Sequence, residues 1–123
     1  MIKLLNCCTM IGGKVIRGDG VGRKLGYPTA NLDISKEKIK LSPGVYAARA
    51  FLEKKKYNAS LIIQEKVFKV EVHLLDYIGE DFYGARLEVE PVEKVSEIVP
   101  FETEGELIKK IGEDMEKVEE TLR

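Results

Sequence analysis

The sequence predicts a mainly β fold: a small closed barrel with one α-helix packed against it at the C-terminal end. Three observations predict it. Short extended stretches recur, with turn signals about every ten residues. The run "VFKVEVHLL" (67–75) alternates apolar and polar residues with period two. After Thr103 the apolar spacing becomes helical. The chain has 123 residues, which suits a single domain over 1–123 with one core. Its 44% hydrophobic content argues against disorder.

Taken in order, "KVIR" (14–17) reads as the first strand and "TANLDI" (29–34) as the second, with a glycine-rich loop between them. "ISKEKIKLSPG" (34–44) is a polar connection ending in a Pro-Gly turn. In "GVYAARAFLE" (44–53), Tyr46, Ala48, Ala50 and Leu52 share one face of a strand. Val45, Ala47, Arg49 and Phe51 share the other. "EKKKYNA" (53–59) reads as a polar hairpin turn into the strand "SLIIQ" (60–64). In the next strand Phe68, Val70, Val72 and Leu74 form one face, and Lys69, Glu71 and His73 the other. "DYIGED" (76–81) turns into "FYGARLEVEPV" (82–92), its hairpin partner. Thr103 and Glu106 form a Thr-x-x-Glu capping box. Leu107, Ile108, Ile111, Met115, Val118 and Leu122 then mark the buried stripe of an amphipathic helix with a charged outer face.

Charge and cysteine content exclude several function classes. The 20 basic and 21 acidic residues nearly cancel, unlike a general nucleic-acid binder. Cys7 and Cys8 are adjacent, without Cys-x-x-Cys or Cys/His spacing, so they read as plain thiols of a reducing compartment. The opening "MIKLLNCCTMIGG" lacks the apolar core and cleavage site of a signal peptide, and no apolar run approaches a membrane span. A cytoplasmic protein is expected.

The chemistry concentrates in three places. "GDGVGRKLG" (18–26) is not a Walker A motif, because no Gly-Lys-Ser/Thr closes it, nor a dinucleotide fingerprint, because its glycines fall at 18, 20, 22 and 26. Its glycines nevertheless allow backbone N–H groups to approach an anion, with Arg17, Arg23 and Lys24 adding charge. The same residues also suit a plain basic turn. In "PTAN" (28–31), Thr29 and Asn31 project to one side of an extended segment. Their neutral oxygens suit Mg²⁺ shared with phosphates, or local hydrogen bonds closing a turn. Glu71 is a candidate base for a substrate hydroxyl, although its face of the strand reads as solvated. His73, the sole histidine, reads as a supporting or surface residue.

In combination, "GKVIRGDGVGRKLGYPTANL", "PGVYAARA" and "VEVHLLDYIGEDFYGARLEVE" resemble the riboflavin kinase family of bacterial and eukaryotic type. In many bacteria this domain is the C-terminal half of a bifunctional FAD synthetase. The likeness runs from Gly13 to Val89, with a weaker match in the helix. It implies a six-stranded Greek-key β-barrel with a C-terminal helix. It also implies Mg²⁺-dependent transfer of the ATP γ-phosphoryl group to the ribityl 5′-hydroxyl of riboflavin, giving FMN. By matching position, Gly18, Gly20, Gly22 and Lys24 belong to the phosphate loop, with Thr29 and Asn31 beside the nucleotide holding Mg²⁺ and Glu71 acting as base.

One segment departs from the family. "YNASLIIQEKVFKVEVHLLD" lacks the "NIG…PTF"-like stretch and has a shorter connection before Glu71. That leaves a second expectation, a flavin- or nucleotide-binding barrel with weak or no kinase activity. A third, an RNA or protein adaptor using the basic loop, is disfavoured by the balanced charge. Riboflavin and ATP are the expected partners of a monomer that binds neither nucleic acid nor membrane. Without a nucleotidyltransferase half, the sequence is not expected to make FAD.

Overall fold

The computed structural model describes residues 10–17, 29–79 and 82–123. Its elements are β1 (Ile11–Ile16), β2 (Thr29–Asp33), β3 (Gly44–Leu52), β4 (Lys55–Gln64), β5 (Lys69–Leu74), β6 (Arg86–Ser96) and α1 (Glu104–Leu122). A short 3-10 turn, Lys36–Lys38, interrupts the polar connection before β3. The six strands close into an antiparallel barrel in the order β1-β2-β5-β4-β3-β6. Strands β3, β4 and β5 follow one another as neighbours, and β6 returns to lie beside β3, which is a Greek key. The expected barrel and C-terminal helix are both present.

The interior follows the alternation. Val70, Val72 and Leu74 of β5 meet Leu61 and Ile63 of β4, Ala30 and Leu32 of β2, and Leu87 and Val89 of β6 in one buried core. Each fully buried Leu or Val contributes about 1.5–3 kcal/mol relative to an exposed one. Ala48 pairs directly with Ala59, and small residues there suit the narrow lumen of a six-stranded barrel. Tyr46 also points inward, and its hydroxyl donates to the Ser42 carbonyl at 2.7 Å.

The β3–β4 turn is tighter than the sequence suggests. Only Glu53 and Lys54 form it, both with positive φ (48° and 70°). Strand β4 therefore starts at Lys55, so "KKYNA" belongs to the ladder, with Lys55 and Lys56 turned to solvent. Exposed strand residues carry no apolar alternation, which is why they read as turn.

The outer face of the barrel receives the helix. Ala47 packs against Val118 and Leu122, with Leu75, Val92 and Val95 around them. The β3–β6 register slips between Ala47 and Ala48, leaving Val92 as an extra residue of β6 next to Pro91. Proline has no N–H to give to a ladder and is tolerated at such a bulge. Helix α1 begins where the capping box places it: Glu106 N–H donates to Thr103 Oγ1 at 3.1 Å. The Glu106 carboxylate reaches back one residue further, accepting from Glu102 N–H at 3.0 Å. Met115, Val118 and Leu122 are buried as expected, whereas Ile108 is exposed. No described helix is long and apolar enough to cross a membrane.

Candidate active site

Three of the sequence candidates meet on the outer face of β2, β5 and β4. Asn31 lies directly opposite Glu71, and Thr29 opposite His73. On the other side of β5, Glu71 is flanked by Ile62, and His73 by Ser60. Opposed residues on antiparallel strands hold their Cβ atoms about 4.5–5.5 Å apart. Thr29, Asn31 and Glu71, up to 42 positions apart in sequence, thus become neighbours.

This face is not solvated. Glu71 is 7% exposed, Asn31 7% and His73 3%. Both the solvated reading of Glu71 and the surface option for His73 are therefore corrected. For Glu71 and His73 the physical reason is that α1 and the segment 98–101 after β6 lie over this side of the barrel. Between them and the barrel is a cleft of about 480 Å³. Val45, Ile62, Val99 and Phe101 give it apolar walls. Glu71 and His73 line its barrel side, and Lys110 and Asp114 its helix side. That volume and mixture suit a small organic molecule, since ligand pockets run to about 300–1,000 Å³ and are mostly apolar with a few polar groups.

The Glu71 carboxylate is oriented locally. Gln64 Nε2 donates to its Oε1 at 3.3 Å, and Lys69 Nζ lies 3.8 Å from the same oxygen. Gln64 ends β4 and Lys69 begins β5, joined by the four-residue turn 65–68. The shortened connection noticed in the sequence is thus a tight hairpin that presents two polar side chains to Glu71.

The glycine-rich candidates Gly18, Gly20, Gly22, Arg23 and Lys24 lie outside the described residues, as do Cys7 and Cys8. The flanks of that segment are described. Ile16 pairs with Asn31, so the loop leaves and rejoins the barrel beside Thr29 and Asn31. Arg17 sits over the Tyr83 ring, 4.6 Å from its centroid, a cation–π contact that ties the start of the segment to the turn before β6.

For a metal, the donor set decides. Among the described residues no group of three or more His, Cys, Asp and Glu is placed to hold an ion. The hydroxyl of Thr29, the carboxamide of Asn31 and the adjacent Glu71 are all oxygen donors, with one negative charge among them. Such a set fits Mg²⁺, which keeps most of its waters or phosphate oxygens and takes few protein ligands.

Lys110 and Asp114 were not singled out from the sequence, where they belong to the charged side of the helix. Lys110 Nζ bonds Asp114 Oδ2 and also Ser96 Oγ, the latter at 2.6 Å. A signal was available: Asp114 follows Ile111 by three residues and precedes Val118 by four, which puts it on the apolar stripe. Gln64 gave no comparable signal.

Comparison with known proteins identifies the family. A sequence model of the family Flavokinase (riboflavin kinase) matches residues 5–122. A bifunctional riboflavin kinase/FMN adenylyltransferase of Buchnera aphidicola is 35% identical over 125 residues, covering 94% of this chain and 39% of that protein. A bifunctional riboflavin kinase/FMN phosphatase of Arabidopsis thaliana is 38% identical over 125 residues, covering 91% of this chain and 32% of the other. The chain thus spans between 32% and 39% of the length of these relatives. Among solved structures, a Streptococcus pneumoniae protein described as a macrolide-efflux protein superposes with a TM-score of 0.79 at 26% identity, over 89% of this chain and 38% of that one. Riboflavin kinase from Trypanosoma brucei superposes with a TM-score of 0.68 over 92% of this chain and 76% of that one; at 22% identity the likeness is one of fold. With a family match across nearly all of the sequence and two relatives above 30% identity over more than nine-tenths of it, the chain belongs to the riboflavin kinase family.

Proposed function

We propose that this protein is a Mg²⁺-dependent riboflavin kinase that moves the γ-phosphoryl group of ATP to the ribityl 5′-hydroxyl of riboflavin, giving FMN and ADP. The observation that carries it is the convergence of Thr29, Asn31 and Glu71 on one buried face beside the cleft. The names of the two bifunctional relatives support it too: they differ in the second activity and share only riboflavin kinase.

In this reading the flavin occupies the cleft and the nucleotide lies beside the end of β2. The 5′-hydroxyl oxygen forms the new bond to the γ-phosphorus, and the bond from that phosphorus to the β,γ-bridging oxygen breaks. Glu71 takes the hydroxyl proton and later returns it to water. Gln64 and Lys69 keep its carboxylate aimed. Mg²⁺ held by Thr29 and Asn31 would supply positive charge to the phosphate oxygens. Gly18, Gly20, Gly22 and Lys24 are assigned to the nucleotide phosphates from the resemblance alone. Little covalent chemistry falls to the protein, so positioning and charge suffice.

We read residues 1–123 as one domain of a cytoplasmic monomer, with riboflavin and ATP as partners and no nucleic acid, in line with the balanced charge. The test is incubation with riboflavin, Mg²⁺ and a panel of nucleoside triphosphates, with FMN separated by chromatography. FMN with at least one donor is expected. No FMN with any donor defeats the proposal, and riboflavin binding without turnover would favour the binding-module alternative.

A further inference from the structure

Asp114 is a carboxylate only 6% exposed, set in the helix-side wall of the cleft. One oxygen, Oδ2, is bonded to Lys110 Nζ. The other, Oδ1, is buried and receives no hydrogen bond among the described residues. A carboxylate can accept at both oxygens, and leaving one unpaired in a buried place is costly. An ordinary i,i+4 ion pair on a helix surface leaves both oxygens to water. This one has been turned inward, on the stripe shared with Ile111, Met115 and Val118.

Lys110 completes the arrangement. Its ammonium is held by Ser96 Oγ and Asp114 Oδ2, so two of its three protons are committed among the described residues. The helix side of the cleft therefore presents an acceptor and a donor next to each other. An imide edge, C=O/N–H/C=O, is the complement of that pair. Oxidised riboflavin carries one such edge, on its pyrimidine ring, at the opposite end of the molecule's ring system from the dimethyl edge. Its N3–H is the ring's only N–H donor. Val45, Ile62 and Phe101 supply apolar surface for the rest of the ring.

We propose that Asp114 is a specificity-determining residue: Asp114 Oδ1 accepts the N3–H of the isoalloxazine ring, while Lys110 donates to a flanking carbonyl oxygen. This rests on the flavin-kinase reading above and deepens it by assigning the helix side of the cleft, across from Glu71 on its barrel side. A buried acceptor built for an N–H rejects an analogue that lacks it, because the carboxylate oxygen is then left unpaired.

The test compares riboflavin with 3-methylriboflavin, in which N3 carries no proton, by quenching of flavin fluorescence on binding. The wild-type protein is expected to bind the methylated flavin at least about tenfold more weakly, the range for a hydrogen bond to a charged group. Asp114→Leu keeps the bulk of the side chain and removes the acceptor, so the ratio should fall below about threefold; a purely steric rejection would leave it unchanged. Asp114→Asn keeps an uncharged acceptor and should give an intermediate ratio, and it serves if Asp114→Leu does not fold. Equal binding of the two flavins by the wild type overturns the assignment, and so does an undiminished ratio in both variants. If riboflavin itself fails to bind the wild type, the flavin-kinase reading falls and takes this inference with it.

Discussion

Gln64 Nε2 donates to Glu71 Oε1 at 3.3 Å across the β4–β5 hairpin. The contact exists because the connection between the two strands is only residues 65–68, which places the last residue of β4 diagonally beside the third of β5. Removing it should loosen the base without emptying the site. Gln64→Ala is expected to lower kcat about three- to tenfold, the worth of one such hydrogen bond, with KM for ATP unchanged. Gln64→Glu should cost more, because it sets a second negative charge against Glu71. Steady-state kinetics on the two variants decides the matter; unchanged kcat in both would remove Gln64 from the machinery.

Glu71 itself carries the larger prediction. Glu71→Gln preserves size and burial but cannot take a proton. It should lower kcat by about 10²–10⁴, the usual contribution of a positioned base, while KM for riboflavin stays within a few-fold. That split separates a lost chemical step from lost binding. A Glu71→Gln protein turning over at the wild-type rate would strip Glu71 of the role.

Thr29 and Asn31 are adjacent to Glu71 through the β2–β5 register, and both offer neutral oxygens. Asn31→Ala and Thr29→Ala should each raise the Mg²⁺ concentration giving half-maximal rate by about tenfold, the equivalent of one lost charge-assisted contact. Thr29→Ser keeps the hydroxyl and should restore most of the response. Mg²⁺ titrations of FMN formation measure this. If the half-saturating concentration stays fixed while kcat falls, the two residues serve the nucleotide or the base rather than the ion.

The barrel was legible because its signal is local. Val70, Val72 and Leu74 point inward as their alternation requires, and Tyr46, Ala48, Ala50 and Leu52 do the same on β3. The site was legible only in part. Alternation correctly assigns Glu71 and His73 to the opposite face, but it carries no information about what covers that face. Their burial depends on α1 and the 98–101 segment, which come 25 or more positions later in the chain. Asp114 hid for a related reason: with Glu113 and Glu116 beside it, it reads as one more surface charge until the helix is docked. The resemblance to the riboflavin kinase family, by contrast, singled out Thr29, Asn31 and Glu71 without any knowledge of the cover.

The docking of that helix gives a last prediction, which connects packing to substrate choice. Ala47 is fully buried against Val118 and Leu122, and its small side chain sets how closely α1 approaches β3. Ala47→Leu should force the helix outward. Overpacking of this kind costs about 1–3 kcal/mol, visible as a lower urea midpoint with an unchanged slope. The cleft wall would move with the helix, since Leu107, Lys110, Ile111 and Asp114 all project from it. KM for riboflavin should therefore rise by more than KM for ATP, whose expected residues Thr29 and Asn31 lie on β2 and are not among those lining the cleft. Equal rises in both constants would mean that the helix supports the barrel as a whole and does not shape the flavin side of the site in particular.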